Sequence, residues 1–260
     1  MDENINIQIS ESGSPEVSVS KSKKSISIQD AIIANAVIIG AAVIVAALIL
    51  THGTITSKTD TTTAQAPGGG AAQVLPPDIS KIKVSSDPYI GNPNAKVRIA
   101  YWSDYQCPFC KMFETTTLKN IVKNYVDKGT VAVVFKDFSF LGPDSDTAAL
   151  YGRAIWQLYP AQYFAWRTAM FDAQDKENSG FGDEPSVIKL TTSIQGIDVS
   201  KVQKLLAEKT DEFQKAIDAD KAEGASFGVQ GTPAMITGMT LFPGVTDYAT
   251  FAKALDAQLK

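Results

Sequence analysis

Histidine occurs once in these 260 residues and cysteine twice. A small scaffold stapled by disulfides needs more cysteines than that. A zinc site needs about four ligands, so no metal is expected. Chemistry that depends on a histidine has only His52 to use. That residue stands just beyond an apolar run, far along the chain from any other candidate group, and it reads as a membrane-edge side chain. Excess charge is also scarce: 24 Lys and Arg face 28 Asp and Glu, for a net −4. No basic run interleaves with aromatics in the globular part, which argues against nucleic acid as a partner. There is no internal repeat.

What is present is unevenly distributed. Residues 1–30 are polar, with few aromatics and many Ser, Asn and acidic side chains, and are expected to form a disordered cytoplasmic tail. Residues 31–50 carry no charge and only one strongly polar side chain, Asn35. As a helix they extend about 30 Å, enough to cross the hydrocarbon core of a bilayer. A cleaved secretory signal is the competing reading. It requires a shorter apolar run with a small-x-small site directly behind it, whereas the nearest Ala-x-Ala here begins at Ala64. An uncleaved anchor therefore fits better. Lys21, Lys23 and Lys24 precede the span and the first basic residue after it is Lys58, so the N-terminus is expected in the cytoplasm and the rest outside it. Residues 51–84, rich in Thr, Ala, Pro and Gly, read as a linker reaching on the order of 30 Å. Residues 85–260 mix apolar and charged positions as a folded domain does, and are numerous enough to bury a core without metals or disulfides.

Within that domain, Lys96–Trp102 and Thr130–Phe135 are β-branched and aromatic runs expected as strands. Between them, Lys111–Lys128 repeats apolar residues at helical spacing and stops at Gly129. Further helices are expected over Asp146–Tyr159, Gln162–Ala173, Val187–Ser193 and Lys201–Glu223, the first two broken at Pro160. Strand character returns over Gly228–Ile236 and Thr240–Phe242, and Thr246–Leu259 closes as a helix. A right-handed crossover makes the first two strands parallel neighbours, and the last two are spaced for a hairpin. The expected architecture is α/β: a small mixed sheet covered by helices, with a helical insertion over about 141–226.

Cys107-Pro108-Phe109-Cys110 sits where a strand hands over to a helix. Spacing of i and i+3 puts both thiols on one helical face, within reach of a disulfide. The first cysteine falls at the helix N-terminus, where unpaired N–H groups and the dipole favour the nucleophilic thiolate. Pro108 suits the first turn because its missing N–H would be unpaired there anyway. A structural disulfide closing so short a loop removes little unfolded-state entropy. Two unrelated buried cysteines remain the bland alternative, and redox chemistry accounts best for the pair. Far downstream, Gly231-Thr232-Pro233 opens an apolar segment, where a proline must be an edge or irregular feature. By itself it is a common loop.

The segment Tyr101-Trp102-Ser103-Asp104-Tyr105-Gln106-Cys107-Pro108-Phe109-Cys110, with Gly231-Thr232-Pro233 and Leu241-Phe242-Pro243-Gly244, resembles the DsbA-like family of exported thioredoxin-fold proteins over roughly residues 85–260. The resemblance implies a thioredoxin-like fold, a cis Pro233 facing the cysteines, and a Thr232 backbone that takes a substrate chain as an added strand. Cys107 is then the exposed nucleophile that forms a mixed disulfide and Cys110 the buried resolving thiol, with no cofactor beyond their own disulfide. Two departures stand out. Thioredoxin and its DsbA relatives carry an acid six residues before the first cysteine, and here that position is Tyr101. Asp104 and Lys136 are the remaining candidates for a proton or charge partner, each with an ordinary alternative: a capping or surface Asp and a solvated Lys. Strongly oxidising relatives carry histidine at the position of Phe109, so a higher thiol pKa and a weaker oxidant are expected.

The leading functional reading is an enzyme that introduces disulfides into exported proteins and is reoxidised by a membrane quinone-linked partner. A reductase or isomerase kept reduced by a membrane thiol donor is the alternative, although no dimerisation segment is evident and a monomer is expected. From another class, a tethered peptide-binding or chaperone domain would leave the cysteines incidental.

Overall fold

The computed structural model describes residues 74–84 and 86–260. The expected tail, membrane span and most of the linker lie outside the described residues. Among the described residues no helix is long and apolar enough to cross a membrane.

Five strands form one mixed sheet: β1 (Tyr89–Ile90), β2 (Val97–Ser103), β3 (Val131–Asp137), β4 (Ala234–Thr237) and β5 (Thr240–Pro243), in the order β1-β3-β2-β4-β5. β2 and β3 run parallel, as a right-handed crossover requires, and the remaining pairings are antiparallel. The crossover between β2 and β3 is α1 (Pro108–Phe113) and α2 (Lys119–Ile121), continued by π-helical turns at Glu114–Leu118 and Val122–Val126. Thr115 and Thr116 turn their hydroxyls back onto the carbonyls of Lys111 and Met112, a local competition that accompanies the widened turns.

The helical insertion comprises α3 (Pro143–Leu158), α4 (Pro160–Ala173), α5 (Glu184–Ser193) and α6 (Val199–Ser226). Pro143 and Pro160 each occupy a first helical turn, so the expected break at Pro160 is the start of α4. The chain closes with α7 (Tyr248–Leu259), N-capped by Asp247.

Strand alternation divides β2 between two cores. Ile99 and Tyr101 face α1, the insertion and α7, with Phe113, Phe135, Trp166 and Phe251. Ala100 and Trp102 face a smaller cluster with Ile82, Phe227 and Ile236.

Three features differ from the sequence reading. β1 was not foreseen, because two residues give no period to read. The strand expected from Gly228 begins only at Ala234; the preceding backbone is turned back into the end of α6 by Val229 N–H donating to the Gly224 carbonyl. The chain also engages the domain before residue 85: Ile82 is buried, Leu75 N–H donates to Ser226, and Ile79 N–H donates to Gly238.

Candidate functional site

Cys107 is the N-cap of α1, with Pro108 in the first turn. Its carbonyl accepts from Cys110 N–H at 3.0 Å and Lys111 N–H at 3.1 Å, and its own N–H donates to the Asp104 carbonyl at 3.1 Å. Gln174, just past α4, donates from Nε2 to the carbonyls of Tyr105 (2.6 Å) and Cys107 (3.2 Å). The insertion thereby holds the turn that presents the first thiol.

Opposite this turn, Thr232-Pro233 is a cis peptide, and the Cys107 thiol donates to the Thr232 carbonyl at 3.4 Å. A cleft of about 250 Å³ runs along residues 228–234 of this loop, closed by Leu241, Pro243 and Gly244. Phe109 is 58% exposed and Met112 49%, so the outer face of α1 beside the cysteines is apolar. Both cysteines are free thiols. Cys107 was expected to be exposed, yet it retains only 4% of its surface and Cys110 none, because the cis-proline loop and the Gln174-bound turn cover the pair.

The two sulfurs are electrostatically unlike. A hydrogen bond from the Cys110 thiol lowers the Cys107 pKa to about 6 against the pull of burial, with help from the backbone N–H groups of Cys110 and Phe109. Burial pushes the Cys110 thiol well above its ordinary range, and the neighbouring Cys107 pushes it further. Phe109 supplies no charge, and the lowering of the Cys107 pKa comes from hydrogen bonds alone.

The two proposed proton or charge partners go elsewhere. Asp104 is almost wholly buried, and both its oxygens are engaged. Oδ1 accepts from Gln106 N–H (2.8 Å) and the Ser145 hydroxyl (2.6 Å); Oδ2 accepts from Phe140 N–H (2.9 Å) and Leu141 N–H (3.2 Å). It braces the turn before Cys107 against the start of the insertion. Lys136 pairs in register with Trp102, and both belong to the face of the sheet turned away from α1. There it is buried among Asp87, Asp220 and Glu223, not beneath the cysteines and not solvated.

Four residues around the site escaped the sequence reading as partners: Tyr101, Glu114, Arg167 and Gln174. Arg167, from α4, is buried and bonded to Glu114 Oε1 through Nε (2.9 Å) and Nη2 (2.6 Å), to the Ser103 hydroxyl (2.8 Å) and to the Tyr105 hydroxyl (3.3 Å). Its guanidinium lies 4.2 Å from the centroid of Phe135. One signal was available: Glu114 is four residues after Cys110 and so shares its helical face. Nothing local marks Arg167 or Gln174, which the insertion delivers from more than fifty residues away. Among the described residues no group of three or more His, Cys, Asp or Glu side chains is arranged to hold a metal ion.

The chain is 28% identical to a probable disulfide bond formation protein D of Bacillus anthracis over 178 residues, 68% of this chain and 80% of that one. The thiol–disulfide exchange protein alpha-DsbA2 from Wolbachia pipientis superposes with a TM-score of 0.58 at 28% identity, over 66% of this chain and 86% of that one. Oxidised BdbD from Bacillus subtilis shares the fold, with a TM-score of 0.63 at 23% identity over 72% of this chain and 98% of its own. The family profile described as Thioredoxin matches residues 83–257, and the chain belongs to the thioredoxin family.

Proposed function

We propose that the chain is an extracytoplasmic protein disulfide oxidoreductase that donates the Cys107–Cys110 disulfide to thiols of exported proteins. One observation carries this reading: a thiol with its pKa lowered to about 6 sits at a helix start, against the carbonyl of a cis-proline loop, with a second thiol buried behind it. Stabilising the Cys107 thiolate stabilises the reduced enzyme, and that makes its disulfide readier to be given up. The name of one relative, disulfide bond formation protein, supports the same direction, and that of another, thiol–disulfide exchange protein, the same chemistry.

In the forward reaction a substrate thiolate attacks Cys107 Sγ and Cys110 leaves as the thiol. A second substrate thiolate then attacks the substrate sulfur of the mixed disulfide and releases Cys107. The substrate gains a disulfide, the enzyme is left as a dithiol, and no other cofactor is needed. The cleft along residues 228–234 and the apolar face at Phe109 and Met112 are where the substrate chain lies, its backbone beside Thr232. Asp104 acts as a brace for the turn. A monomer tethered by residues 31–50, N-terminus inside, reoxidised by a quinone-linked membrane protein, completes the scheme.

The test is the reduction potential of the Cys107–Cys110 couple, measured on the full chain in its membrane fraction against glutathione buffers. A value toward roughly −120 mV supports disulfide donation, and one near roughly −270 mV makes the chain a reductase served by a membrane thiol donor. Absence of a reversible two-electron couple leaves only a peptide-binding role. Release of the chain from the membranes by an alkaline wash rejects the tether.

A further inference from the structure

The exchange reaction requires Cys110 to lose a proton when it closes the enzyme disulfide and to regain one when it leaves. Cys110 is wholly buried, and the two charged residues suggested by the sequence are bound elsewhere. Besides the Thr232 side chain, three other polar groups belong to the same buried region. Tyr101 is wholly buried on β2, its ring packed on Phe113 at 5.0 Å between centroids. Its hydroxyl is buried with no hydrogen-bond partner, and its ring centroid lies 5.3 Å from the Arg167 guanidinium that holds Glu114. Burial, Cys110 and Glu114 all push its pKa up. Glu114 N–H donates to the Cys110 carbonyl, so the carboxyl and the thiol rise from one helical face. Arg167 engages only Oε1 of that carboxyl. Glu114 also lines a cavity of about 280 Å³ with Lys119, Phe164 and Asp172.

We propose that Tyr101 and Glu114 form the proton relay for Cys110, with Arg167 fixing the carboxylate and the cavity connecting it to solvent. This rests on the exchange chemistry of the preceding section and names the groups that make its buried step feasible. A phenol hydroxyl left unpaired in a core costs free energy, so its retention beside a buried thiol and a buried carboxyl calls for a reason. When a mixed disulfide at Cys107 resolves, the Cys110 proton passes to the Tyr101 oxygen as the Tyr101 proton passes to Glu114 Oε2. The thiolate attacks Cys107 Sγ, the bond to the foreign sulfur breaks, and that sulfur leaves as a thiolate with the electron pair. In disulfide donation the same proton returns from Glu114 through Tyr101 to the departing Cys110. Burial raises the Glu114 pKa while Arg167 holds it down, which suits a group that must both take and give a proton. The charged and titratable groups facing it are Arg167 and Tyr101, with Lys119 and Asp172 in the cavity.

Reaction of the reduced full chain with dithionitrobenzoate separates the two steps. Cys107 attack releases one coloured thiolate, and Cys110 resolution releases a second. In Tyr101→Phe and Glu114→Gln the second phase is expected to slow roughly 10²-fold near neutrality and to recover as pH rises, with the first phase unchanged. The double variant should be no slower than the slower single one, since both act in one path. Wild-type rate and pH profile in both variants would overturn the relay. So would a slowing that is the same at every pH, which marks a packing defect. A first phase that keeps its midpoint near pH 6 shows that a variant is folded, so Glu114→Gln alone decides if Tyr101→Phe does not fold. Failure of the wild type to release the second thiolate would instead sink the oxidoreductase reading.

Discussion

Cys107 makes the redox chemistry depend on pH in a direction that can be worked out. Its folded pKa, about 6, lies below the ordinary value of 9.0. A depressed pKa means that the thiolate's stabilisation is fully present above about pH 9 and is lost as pH falls through 6. The oxidised enzyme has no such group. The reduced form should therefore gain stability over the oxidised form as pH rises from 6 to 9, by at most about 4 kcal/mol. Alkylation of Cys107 should titrate with a midpoint near 6, and urea unfolding of the two redox forms should diverge over that window. A midpoint near 9 would remove the argument for a strong oxidant. The cysteines and Thr232-Pro233 were readable because each motif is contiguous. Tyr101 was noticed only as a missing acid. Its meaning depends on Glu114 and Arg167, which strand alternation, a helical turn and a distant helix bring together; no linear spacing records that meeting.

At the scale of elements, most helices and the central strands follow from period and composition, while their ends follow from contacts. α6 illustrates the difference. Its apolar repeat is legible as far as Glu223, but the helix runs on through Gly224, where glycine costs about 1 kcal/mol relative to alanine. The structure explains the glycine: a Cβ there would stand 2.8 Å from Trp102 Nε1 and 3.1 Å from Cδ1. Trp102 cannot give way easily, because it is fully buried and its indole N–H donates to the Asp220 carbonyl at 2.9 Å. Overpacking of this kind costs about 1–3 kcal/mol, which outweighs the gain in helix propensity. Gly224→Ala should accordingly lower stability to urea by about 1–2 kcal/mol, with a blue or red shift in Trp102 emission. An unchanged midpoint would mean that α6 slides freely on the sheet.

For the domain as a whole, the second face of the sheet is held by charge. Lys136 and Arg153 meet Asp87, Asp137, Asp220 and Glu223, joining the segment before β1, β3, α3 and α6 in one buried network. No local pattern in the sequence marks these acidic residues, since their partners are 16 to 87 positions away. Four carboxylates against two cations leave an excess of negative charge in a dry site, and the response is visible at Asp220. Burial and the neighbouring Asp87 and Asp137 raise its pKa from 3.8 to about 7, against the pull of Arg153 and Lys136. A raised folded pKa reverses the sign found for Cys107: the stabilising contribution is complete below about pH 4 and is lost as pH rises through 7. Asp220→Asn keeps the shape and removes the titration. In the disulfide form, where Cys107 is silent, wild-type stability should fall between pH 4 and 7 by up to about 4 kcal/mol more than that of the variant. If the two unfolding curves keep a constant separation across that range, Asp220 is ionised throughout, and the network balances its charge through groups other than this one.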